Sequence, residues 1–172
     1  HNAKLRNTSI CGATETILLH EKIIKKFGIS ILKNLQKDGC KIIADSNVIK
    51  FYNKKIQRAS LKDWSREYLS STVSVKSVKN LDEAIDHINM YGTMHTDCII
   101  TKNKNSAKKF LKKVKSSIAM VNTSTQFADG GEFGFGGEVG ISTNSLPPRG
   151  PVGLNQLVSY KYQIVSNGKI RK

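Results

Sequence analysis

The sequence predicts an α/β fold, a mostly parallel sheet flanked by helices, and three observations predict it. Short β-rich runs alternate with longer segments of helical period, the order that builds parallel sheets through helical crossovers. The chain has 172 residues, 38% of them hydrophobic and 24% charged, enough to bury one sizeable core. No apolar run approaches the ~18 residues that a membrane span needs.

The elements follow in order. Residues 16–20 (Thr-Ile-Leu-Leu-His) read as a strand. Residues 21–37 place Ile23, Ile24, Phe27, Ile31, Leu32 and Leu35 on one helical face. Asp38-Gly39 ends that helix, and 41–44 is a second strand. Residues 46–69 are polar and mixed, a short helix and a loop. Residues 71–78 alternate apolar and polar side chains, with Val73, Val75 and Val78 facing inward. Asn80 caps the next helix, which carries Leu81, Ala84, Ile85 and Ile88, with Glu83 at the capping-box position. Then come a strand at 98–101, a helix at 104–114 and a strand at 118–121.

Beyond Val121 the composition changes. Residues 129–140 hold six of the thirteen glycines and read as an extended loop. Residues 146–151 are a Pro-rich linker, and 157–165 read as a strand without a hairpin partner, an edge that invites pairing with another subunit. These shifts divide the chain into 1–121, an α/β unit, 122–150, a glycine-rich loop with linker, and 151–172, an arm.

Charge and cysteine usage narrow the function classes. The net charge is +15, yet 23 of the 28 cations are Lys, and the densest cluster (Lys104, Lys108, Lys109, Lys112, Lys113) lies at helical spacing around Ala107, Phe110, Leu111 and Val114. That is a wet helix face, not a nucleic-acid surface, since base contacts draw mainly on Arg. Three cysteines at irregular spacing make no disulfide framework, and no Cys/His set has zinc spacing, so no metal is expected. A reducing, cytoplasmic setting is expected. The start, His1-Asn2-Ala3-Lys4, has neither Met nor an apolar leader and reads as a chain beginning in mid-protein.

Cys11 stands apart from the other cysteines. Cys98 lies inside an apolar run, whereas Cys11 lies at a break, among small residues, cations and hydroxyls. A helix beginning there would direct free N–H groups at a thiolate. By spacing alone both a reactive thiol and an inert cysteine remain open. The loop Gly130-Gly131-Glu132-Phe133-Gly134-Phe135-Gly136-Gly137 fails the dinucleotide fingerprint; it is either a plain loop or one that sets a carboxylate and an aromatic ring against a ribose and a planar ring. His95, in a helix-to-strand turn, either does acid–base work or hydrogen-bonds the turn. His87, between Ile85 and Ile88, reads as structural.

Three stretches together resemble the gamma-glutamyl phosphate reductase family of the aldehyde dehydrogenase superfamily. The first is Asn2-Ala3-Lys4 with Cys11-Gly12-Ala13-Thr14-Glu15-Thr16, similar to the family's nucleophile segment. The second matches the family's diagnostic pattern: Val78, five residues, Ala84-Ile85-Asp86-His87-Ile88, then Tyr91-Gly92-Thr93-Met94-His95-Thr96-Asp97-Cys98-Ile99. The third runs from Val121 to Gly134 and on through Ile141-Ser142-Thr143 to Arg149-Gly150-Pro151-Val152-Gly153-Leu154.

The resemblance implies an aldehyde dehydrogenase-like catalytic domain with a C-terminal oligomerisation strand, hence a homo-oligomer. It implies NADPH-dependent reduction of L-glutamyl 5-phosphate to L-glutamate 5-semialdehyde, on the route from glutamate to proline. Cys11 matches the nucleophile that forms a thioacyl enzyme. Asn122, Ser124, Thr125 and Gln126 match substrate-side positions, and Glu132 and Phe133 match the motif that meets the nicotinamide ribose. Two departures stand out: Gln126 where the family commonly has Arg, and Pro147-Pro148 in place of a His-Ala pair before Arg149. Family members are longer, with the nucleotide-binding domain mostly upstream of the cysteine segment, so little reductase activity is expected from this chain alone. The alternative is a non-catalytic binding or scaffold module that kept the fold.

Overall fold

The computed structural model describes residues 1–52, 56–141, 145–168 and 170; Ser142 and Thr143 of the third matching stretch lie outside them. A short helix, α1 (Asn2–Leu5), leads through turns to β1 (Thr16–His20). The segment after β1 is helical throughout: α2 (Glu21–Ile23), one π turn over Ile24–Gly28, and α3 (Ile29–Lys37). Within the π turn Gly28 sits against Leu19, whose Cδ1 would lie 3.1 Å from a β-carbon there. The apolar face expected over 21–37 is split. Ile24, Leu32 and Leu35 enter the core, whereas Ile23, Phe27 and Ile31 are 37–49% exposed along one edge. The π turn's extra residue shifts the helical phase and leaves that second row uncovered.

Next come β2 (Lys41–Ala44), α4 (Ser46–Tyr52), β3 (Gln57–Arg58), a 3-10 turn at Leu61–Ser65 and β4 (Thr72–Val78). The four strands form one wholly parallel sheet in the order β1-β4-β2-β3, with Thr16 opposite Ser74 and Lys41 opposite Thr72. Strand β4 is central, which changes the meaning of its alternating pattern. Val73 and Val75 are fully buried as expected, but so are Ser74 and Ser77, because helices and loops cover both faces. Those serines are satisfied internally. Ser74 Oγ donates to Asp63 O and meets Tyr68 Oη, and Ser77 Oγ donates to Asp45 Oδ2 at 2.7 Å. The core packs Leu19, Ile24, Leu32, Leu35, Ile42, Val48, Val73 and Val75 between sheet and helices.

Helix α5 (Leu81–Tyr91) follows, capped as read: Asn80 Oδ1 accepts the Glu83 N–H at 2.9 Å. Glu83 reaches one residue further back than a capping box requires, to the Lys79 N–H. Strand β5 (Thr96–Ile99), helix α6 (Lys104–Lys113) and strand β6 (Ile118–Val121) complete a second, two-stranded parallel sheet over a small core of Ile85, Phe110 and Val114. The layer expected as one sheet is thus two. The wet face of α6 is as read, with Lys109 paired to Asp82 at 2.6 Å.

The last third departs most from expectation. The end of the glycine loop and the start of the arm pair as an antiparallel ribbon, β7 (Val139–Ile141) with β8 (Gly150–Val152). The boundary expected at 150/151 therefore falls inside a strand whose Val152 is 1% exposed. The strand expected at 157–165 is not formed. That segment carries no ladder, and Tyr160, Tyr162, Ile164 and Val165 are more than 80% exposed. A strand exists only by pairing, and among the described residues no edge lies alongside it.

Candidate active site

Cys11 lies in a tight turn between α1 and β1, not at the start of a helix, so the dipole expected to favour its thiolate is missing. The turn is held from three sides. Lys4, 2% exposed, puts Nζ 2.7 Å from Glu15 Oε2, an ion pair spanning the turn's base. Glu15 Oε1 also accepts the Leu69 N–H. Gly12 meets the 125–128 segment so closely that a β-carbon would lie 2.9 Å from Thr125 O and 3.3 Å from Gln126 Cα. Only glycine permits that approach.

The residues expected on the substrate side form the other half of this clamp. Gln126, 5% exposed, donates from Nε2 to Ala3 O at 3.1 Å and Asn7 O at 3.0 Å, and its Oε1 accepts from Arg6 at 3.2 Å. Every polar atom of that side chain is engaged, and it fastens the cysteine segment. Thr125 Oγ1 lies 3.0 Å from Thr14 Oγ1. Ser124 Oγ accepts the Gln126 N–H, capping a 3-10 turn over Thr125–Phe127, and no acceptor for its own hydrogen is found among the described residues. Asn122 sits at φ 57°, a conformation Asn tolerates, and its amide is committed twice to the Thr101 backbone, both at 2.8 Å. The Asn122 amide is thus engaged by backbone groups, and the Gln126 amide by two backbone carbonyls and the Arg6 guanidinium.

The far end of the glycine loop passes beside the thiol. Gly130 packs against Glu138, where a β-carbon would stand 2.7 Å from Glu138 Cβ, so the loop doubles back at its root. Glu132 and Phe133 lie at the exposed tip, with the Phe133 ring 5.9 Å from that of Phe135. The fold-back brings Glu138 and Asp129 within electrostatic range of Cys11. Burial first, and then Glu138, push the thiol above its ordinary value, outweighing the Gly12 and Cys11 backbone N–H groups that pull it down. The resting sulfur is therefore a thiol near neutral pH, not the ionised group that a helix start would give.

His95 closes the far side. The position a Gly140 β-carbon would take is 3.3 Å from Cys11 Sγ and 3.2 Å from His95 Nε2. The Met94–His95 turn is pinned by Ser117, whose Oγ donates to both carbonyls, and by Arg149, which reaches Met94 O and Lys115 O. Burial holds His95 below its ordinary value, opposed by Glu138 and Glu67. Sequence reasoning missed Glu138 altogether, and only the crossing of Gly130 gives its position away. His87 lies between the rings of Trp64 and Tyr91, and burial lowers it to about 4.

Cys11 stands on the rim of a cleft of about 920 Å³ between the two sheets, walled by Phe27, Ile31, Trp64, Tyr91 and Phe110. No set of three His, Cys, Asp or Glu suited to a metal is found among the described residues.

The chain is 48% identical over 170 residues to gamma-glutamyl phosphate reductase of Bartonella tribocorum, covering 99% of this chain and 41% of that protein. It is 45% identical, at the same coverage, to the enzyme of that name from Clostridium botulinum strain Alaska E43. It spans about two-fifths of the length of these relatives. The crystal structure of gamma-glutamyl phosphate reductase from Thermotoga maritima superposes with a TM-score of 0.91 at 41% identity, over 99% of this chain and 41% of that one. An acetylating aldehyde dehydrogenase from Geobacillus thermoglucosidasius, 14% identical with a TM-score of 0.57 over 94% of this chain and 46% of that one, shares the fold. Residues 58–161, more than half of the sequence, match the aldehyde dehydrogenase family, and the chain belongs to that family.

Proposed function

We propose that this chain is the catalytic portion of a gamma-glutamyl phosphate reductase, using NADPH to convert L-glutamyl 5-phosphate to L-glutamate 5-semialdehyde and phosphate in proline biosynthesis. The observation that carries the reading is Cys11. It is a solvent-reachable thiol at a cleft mouth, fixed by Lys4–Glu15 and the Gln126 clamp, in a chain 41–48% identical to proteins of that name along 99% of its length.

Cys11 Sγ attacks the acyl carbon, the carbon–oxygen bond to phosphate breaks, and a thioacyl enzyme results. The Cys11 and Gly12 N–H groups, which lean on the sulfur, are placed to donate to the oxyanion of the tetrahedral intermediate. Ser124, whose hydroxyl hydrogen has no acceptor among the described residues, is the substrate-side donor; Thr125, Asn122 and Gln126 support it by holding the loop.

The residues present suit one end of a nicotinamide cofactor. Glu132 offers an exposed carboxylate to ribose hydroxyls, and Phe133 offers a half-exposed ring, both on a loop rooted at Cys11. When bound, NADPH supplies the hydride that reduces the thioester. Because the chain spans two-fifths of its relatives' length, acylation of Cys11 without turnover is the activity expected of these 172 residues alone. The exposed run Tyr160–Val165 supports pairing with a second copy, giving a homo-oligomer. Three free cysteines fit a cytoplasmic setting, and no described helix is long and apolar enough to cross a membrane.

Acetyl phosphate tests the reading. Incubated with the chain and followed by mass spectrometry of its peptides, it should add one acetyl group to Cys11 well ahead of Cys40 and Cys98. Equal, slow labelling of all three cysteines would remove the enzymatic account in favour of a non-catalytic module.

A further inference from the structure

His95 has a nitrogen with nothing to do. Its Nδ1 lies 2.7 Å from Thr96 Oγ1, but Nε2 is buried without a hydrogen-bond partner among the described residues, in a side chain only 5% exposed. A buried ring nitrogen left unpaired is unfavourable and calls for an explanation. The Gly140 contact supplies one. The missing β-carbon of Gly140 leaves a gap flanked by Cys11 Sγ at 3.3 Å and His95 Nε2 at 3.2 Å, so the two atoms are no further apart than those distances added together. One water or one oxygen of a substrate bridges such a span.

We propose that His95 is the proton carrier for Cys11. Nε2 accepts the thiol proton through one water or substrate oxygen in the Gly140 gap, as sulfur attacks the acyl phosphate. It then delivers that proton to the departing phosphate oxygen. The balance closes: the S–H and C–O bonds break, the S–C and phosphate O–H bonds form, and His95 ends neutral as it began. After reduction, collapse of the thiohemiacetal alkoxide releases the thiolate, which is reprotonated through the same nitrogen from solvent. Thr96 fits both states, since its hydroxyl accepts from Nδ1–H while Nε2 is the base. The inference rests on the acylation proposed above and goes beyond it in naming the base.

The charged and titratable groups around the pair agree. Cys11 faces Glu138 and Asp129 from the glycine loop, which with burial keep it protonated. His95 faces Glu138 and Glu67, which favour its transient charge, while burial keeps it neutral at rest.

The test is the pH dependence of Cys11 acylation by acetyl phosphate in the full chain, for wild type and His95→Gln. Wild type should hold its rate as the pH falls until His95 protonates, below pH 6.5. His95→Gln should be slower on the order of 100-fold near neutrality, with a rate climbing as the thiol itself ionises. Thiol-like titration in wild type, or a folded His95→Gln within about threefold of wild type, overturns the inference. The wild-type profile decides alone if the variant does not fold. Absence of Cys11 acylation at every pH removes the proposed function and this inference with it; acylation unchanged in His95→Gln removes the inference only.

Discussion

Asp97 gives the sharpest stability prediction, because its carboxyl works against the fold at neutral pH. It sits on β5, accepts a short hydrogen bond from Ser116 Oγ, and is raised from the ordinary 3.8 to about 6, chiefly by burial. A folded-state value above the unfolded one means that the folded protein holds the proton more tightly. Stability is then fully present below about pH 4 and is lost as the pH rises to about 6. Two units at ~1.4 kcal/mol each give a loss of about 3 kcal/mol by pH 7. Asp97→Asn removes the charge but keeps an oxygen to accept from Ser116. Urea unfolding should show the variant about 2–3 kcal/mol more stable than wild type at pH 7, with the gap closing toward pH 4. The difference between the two proteins cancels the other carboxylates. A gap that stays constant with pH, or a less stable variant at pH 7, would refute the reasoning.

Two further expectations concern the frame of the site. Lys4→Met strips the buried ion pair of its cation and leaves Glu15 with only the Leu69 N–H. Equilibrium unfolding should register a loss of about 3 kcal/mol, partly recovered by adding Glu15→Gln, and a loss below 1 kcal/mol would show that the pair does not hold the cysteine turn. Gly140→Ala places a methyl 3.2–3.3 Å from both His95 Nε2 and Cys11 Sγ. Iodoacetamide labelling of Cys11 should slow on the order of 10- to 100-fold with little change in stability, and unchanged labelling would show the gap to be unused.

The strands at 16–20, 41–44 and 118–121 and the helices between them were legible because apolar runs of those lengths admit few other structures. What the residues could not reveal were partners supplied by distant backbone. Ser74 and Ser77 read as outward-facing because their partners, Asp63 and Asp45, lie in other elements. Gln126 read as a substrate contact because the carbonyls it binds, Ala3 and Asn7, are some 120 positions away. The β7–β8 ribbon was hidden by the Gly and Pro residues it contains, which locally signal a loop. Cys11 was found through the family's nucleophile segment; Glu138 carried no motif and became visible only in the folded loop.

The protonation state of Cys11 is where fold and chemistry meet. An acyl phosphate has a good leaving group, which by itself would make a strong base dispensable in the proposed reaction. The structure moves the requirement elsewhere. Without a helix start beneath it, and with Glu138 and Asp129 in electrostatic range of it, the thiol does not ionise unaided near neutrality. In the proposed reaction the difficulty would then lie in making the nucleophile, not in expelling phosphate. A base is needed before the bond to carbon forms, and a neutral imidazole with an unspent nitrogen on the same gap meets that need. The same arrangement restrains the thiol when no substrate is present, because a protonated sulfur is a poor target for alkylation and oxidation. Moving carboxylates away from Cys11 should therefore raise its idle reactivity. Glu138→Gln is the direct version: it lowers the thiol's pKa and so speeds iodoacetamide labelling near neutrality, while weakening the support for a charged His95 and so slowing acylation by acetyl phosphate. Both rates moving in the same direction would show that Glu138 does not act on the two groups in the manner described.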